Sequence, residues 1–286
     1  MRLLRFSTML FFLLLLAAGA RAQAISGVIM KAGSQEPVPF VNIGVPGKAV
    51  GTVADEQGRY RLSGAAPADT VRISSIGYQP RRLTVQALLT QPNVQLTENA
   101  VALREVKGKA KGYFQRTTRL GFDKAESSTN TNLNPSNLGS ELGTVVRLRH
   151  RPTKVLNVNF NINDNKAADL LFRVNLYRLR PDGTPSNDKL LVCDVVVRPR
   201  TGTNTVAVDL TADKFILDED FFLALEWIGG GDVKRVNELL FSGGIGYANN
   251  DLYERKASQD NWEKVSVGAL MAGMQLKLAF WATVQD

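Results

Sequence analysis

An all-β chain of two sandwiches in series is predicted from three features of this sequence. Short apolar stretches punctuated by Gly and Pro fill residues 24–98, with no convincing helical periodicity. Longer stretches with a two-residue apolar/polar period fill residues 142–286. Between them, residues 107–141 are polar, basic and poor in core residues, the composition of a linker.

The N-terminus reads as an export signal. Arg2 and Arg5 precede an apolar run from Phe6 to Ala18, and the small-residue site Ala20-Arg21-Ala22 follows. That run is shorter than the ~20 residues needed to span a bilayer, so residues 1–22 are expected to be cleaved rather than retained as an anchor. Gln23, not cysteine, follows the site, which argues against a lipoprotein. No later segment has membrane-spanning length without charges. The expected location is therefore the periplasm or the outer membrane. The net charge of +8 falls to +5 without Arg2, Arg5 and Arg21, and the excess concentrates in residues 107–141. With residues 142–286 neutral there is no broad basic face, and nucleic-acid binding is not expected.

In the first domain, Ile25, Val28 and Ile29 open a strand that ends at Gly33-Ser34 and Pro37. Phe40, Val41, Ile43 and Val45 make the second. Thr52-Val53 leads into Asp55-Glu56-Gln57-Gly58, a tight turn in which Asp bonds its own backbone and Gly takes positive φ. Tyr60 and Leu62 alternate with Arg59 and Arg61. Val71 with Ile73 and Ile76, then Leu83 with Val85, then Val94 with Leu96, bring the total to about seven strands, a small sandwich. Gly77 ends a strand, and Tyr78 is expected as a packed edge aromatic.

These residues carry a resemblance. Ile25-Ser26-Gly27-Val28, Glu36-Pro37-Val38-Pro39-Phe40-Val41-Asn42-Ile43, Gly51 through Leu62, and Ile73-Ser74-Ser75-Ile76-Gly77-Tyr78 are together similar to the carboxypeptidase-regulatory-like domain of Bacteroidetes envelope proteins. The same domain precedes the plug of TonB-dependent receptors, and Leu103-Arg104-Glu105-Val106 is similar to the segment that follows it there. The resemblance covers residues 23–106 and implies a transthyretin-like seven-stranded sandwich. It does not bring transport with it, because about 145 further residues cannot make a 22-stranded barrel at ~10 residues per strand.

In the second domain, Leu156, Val158, Phe160 and Ile162 alternate with asparagines, and Phe172, Val174 and Leu176 alternate with Arg173 and Asn175. Leu191–Val197 and Val206–Leu210 follow. Phe221–Ile228 is apolar on both faces apart from Glu226, the mark of a central strand. Met274, Leu276, Leu278 and Phe280 close the chain. About eight to ten strands suit a two-sheet sandwich, with a jelly roll as one arrangement. The region also resembles the C-terminal part of some stand-alone proteins with the regulatory-like domain, for which no activity carries over.

Catalytic constellations are sparse. His150 is the single histidine and sits among Arg147, Arg149 and Arg151, so neither a zinc site nor a Ser–His or Cys–His pair is expected. Cys193, the one cysteine, cannot form an intramolecular disulfide and reads as a small core residue within a valine-rich strand. Asp218-Glu219-Asp220 reads as a solvated turn, and Asn161, Asn163, Asp164, Asn165 and Asp169 as a polar turn rather than a calcium loop. Gly229-Gly230-Gly231 and Gly243-Gly244-Ile245-Gly246 lack the strand-to-helix setting of a phosphate cradle. No metal or cofactor is expected.

The expected role is therefore that of a non-enzymatic interaction or scaffold module, its C-terminal sandwich recognising an envelope protein or a glycan. An envelope hydrolase with an unrecognised carboxylate site is the competing class. Trp227 and Trp281 lie in apolar strands and should be core or sheet wall. Trp262 follows the polar turn Ser258-Gln259-Asp260-Asn261 and has two readings, a partner contact or a cap on the core. Tyr253 and Tyr247, flanking Asn249-Asn250-Asp251, would extend a contact surface if these loops cluster.

Overall fold

The computed structural model describes residues 24–99, 114–124, 126–133, 135, 137–211, 215–231, 233–246, 251–265 and 274–286. Residues 1–22, expected from the sequence to be an export signal, the basic residues Lys107, Lys109 and Lys111, and Tyr247 lie outside these residues.

The first domain contains the seven expected strands. These are β1 (Ile25–Lys31), β2 (Asn42–Gly44), β3 (Gly51–Val53), β4 (Arg59–Leu62), β5 (Thr70–Ser74), β6 (Arg81–Thr84) and β7 (Val94–Leu96). They form a three-stranded sheet, β4-β1-β7, and a four-stranded sheet, β3-β2-β5-β6. Ile29, Ile43, Leu62, Val71, Ile73 and Leu96 meet between the sheets with no exposed surface. At the Asp55 turn, the carboxylate Oδ1 accepts from the N–H groups of Gln57 and Arg59, both at 2.9 Å. Gly58 takes φ +71°, and a Cβ there would sit 2.5 Å from the Ile29 carbonyl oxygen. One element departs from the sequence reading. Leu83 and Val85 do not share a strand, because Thr84 caps a short helix, α1 (Val85–Thr90), its Oγ1 accepting from the Ala87 N–H at 3.2 Å.

The second domain is a sandwich of two antiparallel sheets. One has the order β13-β12-β17-β10-β19-β20, with β14 also paired to β12. Its strands are β10 (Glu141–Val146), β12 (Leu171–Leu179), β13 (Pro185–Lys189), β14 (Val195–Val197), β17 (Phe221–Gly229), β19 (Leu252–Arg255) and β20 (Glu263–Lys264). The other has the order β21-β18-β11-β22-β8, with β15 and β16 on β11 and β9 on β18. It is built from β8 (Thr117–Gly121), β9 (Glu126–Thr131), β11 (Thr153–Asn165), β15 (Asn204–Asp209), β16 (Ile216–Leu217), β18 (Leu239–Gly246), β21 (Gln275–Leu278) and β22 (Phe280–Gln285). A short helix, α2 (Val233–Asn237), precedes β18. Phe160, Phe172, Phe241 and Phe280 fill the space between the sheets, with edge-on ring pairs such as Phe160–Phe280 at 4.6 Å.

Four expectations are corrected here. First, residues 117–121 and 126–131 are not linker: β8 pairs with β22 and β9 with β18, and Leu120 and Leu133 are buried in the second core. The segment Glu126–Thr131 has no apolar residue, so its place in a sheet rests on backbone pairing that hydropathy does not register. Second, Cys193 is exposed, because the chain bends between β13 and β14 instead of running as one strand. Third, Asn161, Asn163, Asp164 and Asn165 are strand residues of β11, not a turn. The side chain of Asn165 turns inward, donating to the Arg200 carbonyl at 2.8 Å and accepting from the Ala167 N–H at 2.9 Å. Fourth, Val155 rather than Leu156 is buried, since the register against β22 shifts between Val155 and Asn157 and a bulge resets the alternation.

Candidate functional site: a buried charge row between the domains

The site begins with strand register. Across β12, β17, β10 and β19, residues Arg173, Glu226, Glu141 and Arg255 stand directly opposite one another in turn. They form a cross-strand row of charges in the order plus, minus, minus, plus. Alternation puts this row on the face away from the phenylalanine core, where a lone sheet would meet water. Here the first domain covers it, so Glu141 and Glu226 have no exposed surface and Arg173 and Arg255 almost none.

Glu141 and Glu226 are neighbours of like charge, an arrangement that is unfavourable unless compensated. Compensation comes from both ends. Arg255 donates to Glu141 from Nε at 3.0 Å and from Nη2, and the Tyr177 hydroxyl donates to the same carboxylate at 2.9 Å. Arg173 faces Glu226 at 3.4 Å and Asp194 at 3.2 Å, while Asn175 donates to Glu226 at 2.9 Å and Lys189 stands 3.9 Å away. The bend that exposes Cys193 is what brings Asp194 within reach of Arg173.

Electrostatics separate the two carboxyls. Burial pushes Glu141 up, with Arg255 only partly opposing. Burial would push Glu226 up as well, but Arg173, then Lys189 and Arg255, outweigh it and hold the carboxyl below its ordinary value. Burial works against the charge on Arg255 and Arg173, and their carboxylate partners more than restore it, so both stay charged. Burial, then the Glu141 charge, raises the Tyr177 hydroxyl well above the tyrosine range. Lys189 is pushed down by burial and then by Arg173.

The same row docks the domains. Arg173 donates through Nη1 to the Asn42 side chain at 3.1 Å and through Nη2 to the Phe40 carbonyl. Phe40 has φ +53°, a left-handed conformation unfavourable for a bulky residue. Gly44 and Gly51 let the first domain approach closely, since a Cβ on either would lie 3.0 Å from Gln259 or Ala257. The Gly47 N–H donates to the Gln259 carbonyl at 2.9 Å, Asn137 donates to the Ala49 carbonyl at 2.9 Å, and Arg72 donates to the Gln259 side chain at 3.0 Å. The two sandwiches are thus packed together rather than independent.

A cleft of about 300 Å³ opens beside the row, lined by Arg72 and Ser74 of the first domain and Tyr177, Lys189, Arg255 and Ser258 of the second, among others. Among the described residues, no group of three or more His, Cys, Asp or Glu side chains is placed to hold a metal ion. His150 is exposed, its Nε2 4.0 Å from Asp286. Asp220 is engaged by Arg151 at 2.6 Å and by the Leu148 N–H at 2.9 Å, and Glu219 pairs with Arg178.

Two residues of the sequence-derived site come together, and the third, Tyr247, lies outside the described residues. Trp262 packs edge-on against Phe222 at 4.8 Å and Tyr177 at 5.7 Å, and Phe222 meets Tyr253 at 6.0 Å. The Trp262 indole N–H donates to the Ser186 carbonyl at 3.2 Å, and the Arg255 guanidinium lies 4.4 Å over its ring. Tyr253 is buried and Trp262 half-buried, the placement of aromatics that cap a core. Sequence reading missed the charge row itself. Its one visible sign is Glu226 inside an otherwise apolar strand; Glu141 is the last residue of the expected linker.

Comparison with known proteins bears on the first domain. Residues 25–107 match the family model described as "CarboxypepD_reg-like domain". The chain is 39% identical over 89 residues to the TonB-dependent receptor SusC of Bacteroides thetaiotaomicron, covering 31% of this chain and 8% of the receptor. Among solved structures, the cysteine protease Cwp84 after propeptide cleavage overlaps 91% of this chain and 61% of its own, at TM-score 0.44 and 8% identity. A structure of the cysteine protease and lectin-like domains of Cwp84 from Clostridium difficile overlaps 87% and 58%, at TM-score 0.42 and 10% identity. Neither overlap supports an inference about function. Residues 25–107 are a CarboxypepD_reg-like domain, similar to the N-terminal region of the receptor SusC.

Proposed function

We propose that this protein is exported and serves, without catalysis, as an interaction or scaffold module of a bacterial envelope, with its C-terminal sandwich recognising a protein or glycan partner. The observation that carries this reading is the use made of the charged residues. Glu141 and Glu226, with no exposed surface, are each held by an arginine and a second hydrogen-bond donor. A general acid or base must reach the proton it moves, and these buried carboxylates face Arg255, Arg173, Tyr177 and Asn175 instead of open surface. Their position under the first domain supports a structural duty, holding two sandwiches as one block. Likeness to a domain of an outer-membrane receptor supports the envelope setting. Of the aromatic set read from the sequence, half-buried Trp262 retains surface to offer a partner.

The test is a paired screen of the exported chain. Immobilised protein is probed with envelope glycans and purified envelope proteins, and soluble protein is incubated with peptide and glycoside substrates. Saturable binding without turnover is the expected result. Turnover that disappears in Glu141→Gln or Glu226→Gln would replace this reading with a hydrolase. Intact mass of the exported chain should begin at Gln23.

A further inference from the structure

We propose that the cleft between the domains binds a small hydroxylated oxyanion, a sugar acid or a sugar sulfate, between Arg72 of the first domain and Lys189 and Arg255 of the second. This concerns a cleft internal to the two-domain block and does not depend on the partner-binding role above.

Charge is the first ground. Three cationic side chains line the cleft against one acidic residue, Asp188. Arg255 is committed to Glu141, but among the described residues Arg72 makes no ion pair: it donates to the neutral Gln259 and Ser74 side chains, at 3.0 and 3.2 Å, and the exposed Asp188 carboxylate attracts it only through space. Burial, then the positive charges of Arg82 and Arg255, make the Arg72 proton easier to lose than usual, a cost that a bound anion would relieve. Lys189 stands 3.9 Å from its nearest carboxylate oxygen, close enough for attraction but too far for a hydrogen bond.

Unmet hydrogen bonding is the second ground. Ser258 lines the cleft and is 2% exposed, yet its Oγ has no hydrogen-bond partner. Buried hydroxyls are normally paired, so this one has a bond to gain by turning toward a group that enters the cleft. Exposed Asn187 and Asp188 stand at the mouth, while Arg255 and Ser258 form the floor.

Size and lining select the ligand. A volume of about 300 Å³ lies at the small end of ligand pockets, near one sugar ring. An inorganic anion would leave most of that space and the Ser74, Ser75 and Asn187 side chains unused. A guanidinium favours a planar or multidentate oxyanion, and the neutral hydroxyls and amides favour ring hydroxyls.

Calorimetric titration of the mature chain at fixed ionic strength tests this, with glucuronate, glucose sulfate, glucose and inorganic sulfate as probes. Glucuronate or glucose sulfate should bind at least about tenfold more tightly than glucose and inorganic sulfate, the better of the two identifying the anion. Arg72→Gln should weaken that binding about tenfold or more, and Ser258→Ala severalfold. Ser258→Ala removes only a hydroxyl that makes no hydrogen bond, so it should fold even if Arg72→Gln does not. Equal affinity for charged and neutral sugars, or unchanged affinity in a folded Ser258→Ala variant, overturns the proposal.

Discussion

Replacing Arg173 with methionine probes the charge row most directly. The side chain is 1% exposed and meets Glu226 at 3.4 Å, Asp194 at 3.2 Å, Asn42 at 3.1 Å and the Phe40 carbonyl. Methionine fills the volume but leaves Glu226 fully buried, with Lys189 3.9 Å away as its nearest cation. Removing one partner of a buried ion pair typically costs about 3–5 kcal/mol, because the remaining charge stays desolvated. For a chain of this size that lowers Tm by roughly 6–20 °C, at about 2–4 °C per kcal/mol. The loss should also uncouple the domains, since the Asn42 and Phe40 contacts go with the guanidinium. All three tryptophans, Trp227, Trp262 and Trp281, belong to the second domain, so their fluorescence reports it alone, while circular dichroism reports both. In urea, the two signals should coincide for the parent and separate for Arg173→Met. Adding Glu226→Gln, which removes the stranded charge, should recover at least half of the loss. An Arg173→Met protein within about 1 kcal/mol of the parent would refute the account of the row as a docking device.

Further outcomes follow from single residues. Trp262→Ala should cost roughly 2–4 kcal/mol in urea denaturation, less than a fully buried Trp because the indole is half-buried; a stability unchanged from the parent would return Trp262 to the surface. Burial would raise the Asp55 carboxyl, but the Arg59 side chain and the Arg59 and Gln57 N–H groups outweigh it and hold it low. Its stabilisation is therefore full above the unfolded value of about 3.9 and is lost as pH falls through the lower folded value, so Asp55→Asn should flatten the acid limb of stability against pH, and parallel curves would count against the turn. Burial pushes the Tyr60 hydroxyl, which donates to the Pro92 carbonyl at 2.7 Å, up to about 12. Because the buried phenol resists ionisation, folding stability is kept below the unfolded value of about 10 and falls as pH rises toward 12; absorbance titration should show a late step missing in Tyr60→Phe. Arg119 lies in β8, paired opposite Thr283, so native protein should resist trypsin there, and cleavage at Arg119 as fast as in urea would contradict the pairing.

The amino-acid sequence by itself determined the all-β class, the seven strands of the first domain and most of the second core. It could do so because those features are local. Asp55 and Gly58 set their turn through bonds and dihedrals within a few residues, and Phe172, Val174 and Leu176 mark one face by alternation alone. Wherever burial came from a distant part of the chain, composition misled. The face of β12 with Arg173, Asn175 and Tyr177 reads as solvent-facing because its residues are polar, but a separate domain covers it. Glu126–Thr131 joins a sheet through backbone bonds that side-chain hydropathy does not record, and Leu156 lost its inward place to Val155 through a bulge against β22. Tertiary structure alone decided the candidate site. Arg173, Glu226, Glu141 and Arg255 are scattered over 115 positions, and their row exists only because four antiparallel strands fall into one register. Alternation says which side of a strand a residue takes; what stands on that side, and whether water reaches it, is settled by packing.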